Sequence, residues 1–243
     1  MLGRIRTGIA GLDDEWGGFP KGRTILLTGD AGSGKTIFAL QFAYASCASG
    51  LRTAYIATEE DVQDLKVQAR SFSWGEVDYE AKGLLTFVDL STSRFSDISA
   101  ALDIKIDIEK GNFRTLLDAI PDGTQVVIVD SLGSHTALLK PREFKDSFDI
   151  LNRNLMQKGL STLVVIDSVT SATHNDLALF SAYGALKLVK RENSYTGMRE
   201  RVIDIIKMRN TMVPLQPLAF KIDKKGISIT NLVELGSIKH GFV

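Results

Sequence analysis

The chain has a single cysteine, Cys47, among 243 residues. One cysteine excludes an intramolecular disulfide framework and fits a reducing compartment, here the cytoplasm. Its place in an apolar stretch marks it as a small buried core residue. Net charge is absent as well, with 29 Lys and Arg against 29 Asp and Glu. That argues against a basic polyanion-binding surface spread over the whole protein and leaves room for a local patch. Long apolar runs are missing too. A run such as Val126-Val127-Ile128-Val129 has strand length and cannot span a bilayer. The N-terminus, Met1-Leu2-Gly3-Arg4-Ile5-Arg6, lacks the apolar core of a secretory signal. His135 and His174 stand apart, with no metal-ligand spacing around them. No repeat, low-complexity tract or linker divides the chain, so residues 1–243 are expected to form one domain. What is present is 44% hydrophobic residues, enough to bury a sizeable core.

The element pattern predicts an α/β fold. Residues 1–22 read as a polar, glycine-rich lead-in. Strands are predicted at Arg23–Thr28, Arg52–Thr58, Leu84–Leu90, Thr124–Asp130 and Thr162–Asp167, alternating with helical stretches. The stretch Thr36–Ala48 is apolar nearly all round, as a covered helix should be, with Gly50 placed to stop it. Glu59-Glu60-Asp61 reads as the acidic first turn of a helix running toward Trp74. A short helix is expected near Phe113–Ile120. Pro141 suits the first turn of a helix whose apolar face is Phe144, Phe148, Leu151 and Leu155, ended by Gly159. Ser91-Thr92-Ser93-Arg94 is loop-like, and Ala100–Ile108 is open between helix and strand. Alternation of this kind means a mainly parallel sheet flanked by helices. Beyond Gly184 the pattern changes to strands: Leu186–Lys190, a turn near Asn193–Gly197, Arg199–Arg209, Leu215–Ile222 and Ile227–Thr230. These predict an antiparallel extension, with Lys224-Lys225-Gly226 as a hairpin turn.

The strongest chemical signal is Gly29-Asp30-Ala31-Gly32-Ser33-Gly34-Lys35-Thr36, set between a strand and a helix. This is the context that a phosphate-binding loop requires. Glycines let backbone N–H groups approach phosphate oxygens, and the helix start adds its positive dipole end. Lys35 is placed to reach β- and γ-phosphates, and the Thr36 hydroxyl to ligate Mg²⁺. Hydrolysis needs more parts. Asp130, at the end of a buried strand, is the first candidate for the metal, with Ser131 beside it as a candidate nucleotide contact. Asp167 ends a strand of the same form and is its competitor, or simply a hydrogen-bonded strand-end carboxylate. Glu59 and Glu60 are placed to align water and accept its proton, although an ordinary acidic N-terminal helix turn by itself explains them. Lys207 and Arg209 share one face if their segment is a strand. They form either a cationic clamp for a γ-phosphate, from this subunit or a neighbour, or a solvated strand face.

These parts, in this order, resemble the RecA superfamily, specifically its single-domain KaiC-like branch. The resemblance begins with Thr7-Gly8-Ile9-Ala10-Gly11-Leu12-Asp13 and Gly17-Gly18-Phe19-Pro20-Lys21-Gly22. It runs through the phosphate loop, Tyr55-Ile56-Ala57-Thr58-Glu59-Glu60, Val127-Ile128-Val129-Asp130-Ser131 and Lys207-Met208-Arg209, and closes with Pro217–Ile229. It implies a RecA-like core and ATP with Mg²⁺ as ligands. It implies Glu59 and Glu60 as a catalytic pair, Asp130 and Thr36 at the metal, and Lys207 and Arg209 as a finger acting in trans. It also implies a homo-oligomeric ring, usually a hexamer, with ATP between subunits. The chain departs from the clock protein in having one lobe and no Ser-Thr pair in Leu177–Tyr183, which argues against an autokinase. Asn210–Pro214 lacks the histidine and acidic residues common after the finger.

Three functions follow as expectations. The first is an Mg²⁺-dependent ATPase whose ring changes shape with nucleotide state, with a protein partner to read it out. The second is a recombinase paralogue that binds single-stranded DNA through Lys187, Lys190, Arg191, Arg199, Arg201, Lys224 and Lys225; a solvated face neutralised by Glu192 and Glu200 is favoured over it. The third is a scaffold that binds ATP and hardly hydrolyses it.

Overall fold

The computed structural model describes residues 3–91, 113–136, 139–167, 170–193 and 197–230. The segment Ala100–Ile108, the middle of the turn at 193–197 and the side chain of His135 lie outside the described residues. The strands are β1 (Arg4–Ile5), β2 (Phe19–Pro20), β3 (Thr24–Gly29), β4 (Thr53–Ala57), β5 (Leu85–Asp89) and β6 (Val126–Asp130). They continue as β7 (Ser161–Asp167), β8 (Gly184–Glu192), β9 (Arg199–Met208), β10 (Leu218–Asp223) and β11 (Gly226–Ile229). The helices are α1 (Leu12–Trp16), α2 (Lys35–Ala48), α3 (Val62–Arg70), α4 (Arg114–Asp118), α5 (Gly133–Thr136), α6 (Pro141–Gln157) and α7 (Ala172–Ser181).

Among the described residues, nine strands form one sheet in the order β11-β10-β9-β8-β3-β7-β6-β4-β5. The pairs from β8 through β5 are parallel. The pairs β8–β9, β9–β10 and β10–β11 are antiparallel. The central strands are continuous apolar runs because both faces of the sheet are covered. Alternation sorts their side chains into two layers. Ile25, Leu27, Tyr55, Ile128, Leu163 and Val165 pack on the α2 side with Phe38 and Phe42. Leu26, Ile56, Val127, Val129, Val164 and Ile166 pack on the other side with Phe144, Phe148, Leu151 and Leu155 of α6.

Helix α2 is buried on nearly every side, as its composition implied. Cys47 is 2% exposed and its Sγ lies 3.3 Å from the Leu84 carbonyl oxygen. Burial pushes its thiol up to about 11, so it is an inert core residue. Pro141 opens α6, and Gly159, at φ +69°, closes it.

Four readings of the sequence are corrected. The lead-in is not a polar arm, because Ile5, Ile9, Leu12 and Phe19 are core residues. The buried Asp13 carboxylate gathers its turns, accepting from Thr7 N and Oγ1 at 2.7 Å each and from Gly8 N at 2.9 Å. Gln41 of α2 ties the lead-in to the final hairpin: its Nε2 donates to Gly8 O and Ile227 O, and its Oε1 accepts from Ile227 N. The antiparallel extension starts one strand later than expected, since β8 pairs parallel with β3 from Ile25–Gly184 to Gly29–Leu188. The acidic turn is also different. Asp61 is the N-cap of α3, accepting from Gln63 N at 2.6 Å, so Glu59 and Glu60 precede the helix. That helix stops at Arg70, before Trp74. Finally, β10 begins at Leu218, not Leu215; Pro217 lacks the N–H that a ladder needs, and Leu215 is 98% exposed.

Candidate functional site

Strand order builds the site. The four adjacent strands β3, β7, β6 and β4 end at the same sheet edge, with Gly29 opposite Asp167, Ala57 opposite Asp130, and the second pair about two residues short of the first. They deliver the phosphate loop, Asp167, Asp130 and then Glu59-Glu60 to one sheet edge, where open α/β sheets bind ligands. An open cavity of about 420 Å³ lies there. Ala31, Gly32, Gly34, Lys35, Thr36, Glu59, Glu60, Asp130 and Asp167 line it, joined by Ile37, Gln68, Arg201 and Ile222.

Gly29 is where β3 leaves the sheet. Its φ is +148°, and a Cβ there would sit 2.2 Å from the Leu188 carbonyl oxygen, so the close β3–β8 ladder requires glycine. Lys35 is buried at 7% exposure. Its Nζ donates to Gly29 O at 2.9 Å and Asp30 O at 3.1 Å, and pairs with Asp167 Oδ1 at 2.7 Å. Burial pushes the Asp167 carboxyl up, but the Lys35 ammonium and hydrogen bonds with Ser131 and Glu59 outweigh it and hold it below the usual range.

Ser131 is buried, and its Oγ donates to Asp167 Oδ2 at 3.0 Å while accepting from Gly133 N at 3.2 Å. It serves the protein interior and does not line the cavity. Its carbonyl accepts from Thr58 Oγ1, and the Asp130–Ser131 peptide is cis.

Thr36 Oγ1 donates to Glu60 Oε1 at 3.3 Å and also hydrogen-bonds Asp130. Tyr55, wholly buried, donates its hydroxyl to Asp130 Oδ2 at 2.5 Å. The two glutamates therefore diverge. Glu60 faces Thr36 and Asp130, and Glu59 faces Asp167.

The residues suit a nucleotide with Mg²⁺. Ser33 Oγ, Gln68 Oε1 and Arg201 Nε are buried without a protein partner, and Gln68 and Arg201 line the cavity. Orphaned polar atoms around one cavity are what a polar ligand would satisfy. Thr36 hydroxyl with Asp130 and Glu60 carboxylates is a hard oxygen set, the kind Mg²⁺ takes together with phosphate oxygens and water. Among the described residues no group of three or more His, Cys, Asp or Glu side chains is placed to hold a metal alone.

Desolvation pushes the Asp130 carboxyl up to about 7; Tyr55 and Thr36 pull it down, while the Glu60 and Asp167 charges add to the rise. The neutral form thus stabilises the fold fully below the ordinary carboxylate range, and that contribution is lost as pH rises through about 7. A cation held by Asp130 reverses the preference and must expel the proton. Titrating Mg²⁺ by calorimetry in two buffers should show proton release below about pH 7 and none well above it. Asp130→Asn should remove the release; its persistence in that variant would exclude Asp130 as its source.

Sequence reasoning missed Lys190 and Arg201 at this site. They are cross-strand partners on β8 and β9. A Cβ added to Gly32 would lie 3.2 Å from Lys190 Nζ. Only the strand register reveals this placement. Of the other cations proposed for DNA, Arg191 pairs with Glu200 at 2.7 Å, and Lys187 stands opposite Asp204 in the β8–β9 ladder.

Lys207 and Arg209 are not in the cavity. Both donate to Phe180 O, at 3.0 and 3.4 Å, from the C-terminal turn of α7. Lys207 sits opposite Ala185, three residues below the Leu188 level of the phosphate loop. That is about 10 Å down the strand direction. His174 is buried against Phe144, its N–H donating to the Ser171 cap.

A RecA-like core carrying a P-loop at its parallel-sheet edge defines this class of protein. Within it, a family profile described as "ATPase: KaiC" matches residues 5–234, and the chain belongs to that family. It is 30% identical to a UPF0273 protein of Aeropyrum pernix over 239 residues, 94% of each chain. It is 26% identical to the circadian clock oscillator protein KaiC of Synechococcus elongatus, matching 98% of this chain and 46% of that one. In structure it resembles a KaiC-like protein of Pyrococcus horikoshii, with a TM-score of 0.72, 26% identity, and coverage of 95% of this chain and 100% of that one. No helix among the described residues is long and apolar enough to cross a membrane.

Proposed function

We propose that the protein is an Mg²⁺-dependent ATPase working as a closed ring of identical subunits, a nucleotide-driven switch for a protein partner. The observation that carries this reading is the convergence of Lys35, Thr36, Glu59, Glu60 and Asp130 on one cavity beside the P-loop. The P-loop backbone and Lys35 bind the phosphates. Thr36 and Asp130 would hold Mg²⁺, which would neutralise charge on the phosphate oxygens. Glu60 orients or deprotonates the attacking water, with Glu59 assisting. Lys207 and Arg209 belong to the next subunit's cavity, a reading supported by their distance from their own. Exposed Phe180, Ile206, Met212 and Leu215 in the same region supply the apolar surface that a subunit contact would cover.

The test is steady-state phosphate release with and without Mg²⁺. Lys35→Ala should abolish release and weaken ATP binding by at least about 10²-fold. Equal release by the variant would assign hydrolysis to a contaminant or to another site.

A further inference from the structure

Lys35 has three N–H donors, and here all three are in use within the protein. Two go to the carbonyls of Gly29 and Asp30, and the third to Asp167 Oδ1 at 2.7 Å. A phosphate at the loop needs at least one of them. The backbone carbonyls are neutral acceptors. The Asp167 carboxylate is an anion, as a phosphate oxygen is, and it lines the same cavity. It is held from two sides, with Oδ1 on Lys35 Nζ and Oδ2 accepting from Ser131 Oγ at 3.0 Å. Its strand, β7, lies directly between those of the P-loop and Asp130, with Asp167 level with Gly29. The position of Asp167 is thus set by the sheet, and its side chain is not a stray one folded into an open site.

We infer that Asp167 is a built-in competitor for the phosphate loop: its carboxylate takes the Lys35 donor that a β- or γ-phosphate requires, and nucleotide binds by displacing it. This rests on the nucleotide-binding reading above and adds a regulator to it. The carboxylate sets how tightly the loop holds phosphate, and anything that draws it toward the Ser131 hydroxyl tightens binding. It also gives the buried Lys35 a counter-ion, which an unpaired interior charge would lack.

The test compares ATP, ADP and AMP affinity for the wild type and Asp167→Asn, with EDTA present so that no metal bridges the carboxylate to phosphate. AMP has no β- or γ-phosphate for Lys35 and is the control. Asp167→Asn should bind ATP and ADP on the order of tenfold more tightly, with AMP unchanged and a modestly lower Tm. Asp167→Ser gives the same comparison should the asparagine variant not fold. Unchanged or weaker ATP binding would overturn the inference, as would an equal shift for all three nucleotides, which marks a change of pocket shape. Failure of the wild type to bind any nucleotide would overturn the nucleotide reading and this inference with it. Binding by the wild type with no effect of the variants overturns this inference alone.

Discussion

Replacing both Glu59 and Glu60 with glutamine is expected to lower ATP turnover by about 10²–10⁴-fold while leaving ATP bound. Glutamine keeps the size and hydrogen-bonding reach of the side chain and removes its basicity. The single variants should differ. Glu60 is 3.3 Å from Thr36 Oγ1 and electrostatically coupled to Asp130, at the side of the cavity assigned to the metal. Glu59 faces Asp167, the partner of Lys35. Glu60→Gln should therefore account for most of the loss, and Glu59→Gln for less, with the double variant falling short of the product of the two because the pair acts on one water. Neither change removes a contact of the P-loop, so fluorescent-nucleotide affinity should be retained. Turnover that stays at the wild-type level would remove the pair from the mechanism. Loss of binding in step with turnover would recast them as ligands for the nucleotide or its metal.

The P-loop was legible because its signal is local: a strand, a glycine-rich turn and a helix start in one short stretch. The α6 face was legible because Phe144, Phe148, Leu151 and Leu155 follow the helical period, and all four are buried. Strand order was not legible, since hydrophobic periodicity says nothing about which strands are neighbours. That gap hid the most consequential contact at the site. With β7 beside β3, Asp167 meets Lys35, whereas along the chain they are far apart. The same gap placed Lys190 and Arg201 in a basic surface rather than beside the P-loop. Helix α7 gave no helical signal because its first half, Thr173-His174-Asn175-Asp176, is made of weak helix formers. It is held by the Ser171 cap and by packing on α6. The lead-in looked polar because its apolar residues are isolated in sequence and converge only when Asp13 folds the turns together.

The finger residues make the second large prediction. Lys207 and Arg209 reach Phe180 O and not their own cavity. A finger that stabilises transition-state charge is worth about 10³–10⁵ in turnover. Arg209→Ala should lose activity on that scale, and Lys207→Ala should lose a comparable share, while each variant's own pocket still binds ATP. If the finger acts across a head-to-tail contact, an inactive Lys35→Ala subunit still carries an intact finger, and an inactive Arg209→Ala subunit still carries an intact pocket. Mixing the two in equal amounts, under conditions where subunits exchange, should restore turnover. In a random ring about a quarter of the contacts would pair an intact pocket with an intact finger, which bounds the recovery. Recovery has no route if the finger serves its own pocket, because each subunit then carries one fatal lesion. Mixed rings that form and stay inactive would therefore return Lys207 and Arg209 to a structural role, as the clamp that fastens the end of β9 to α7.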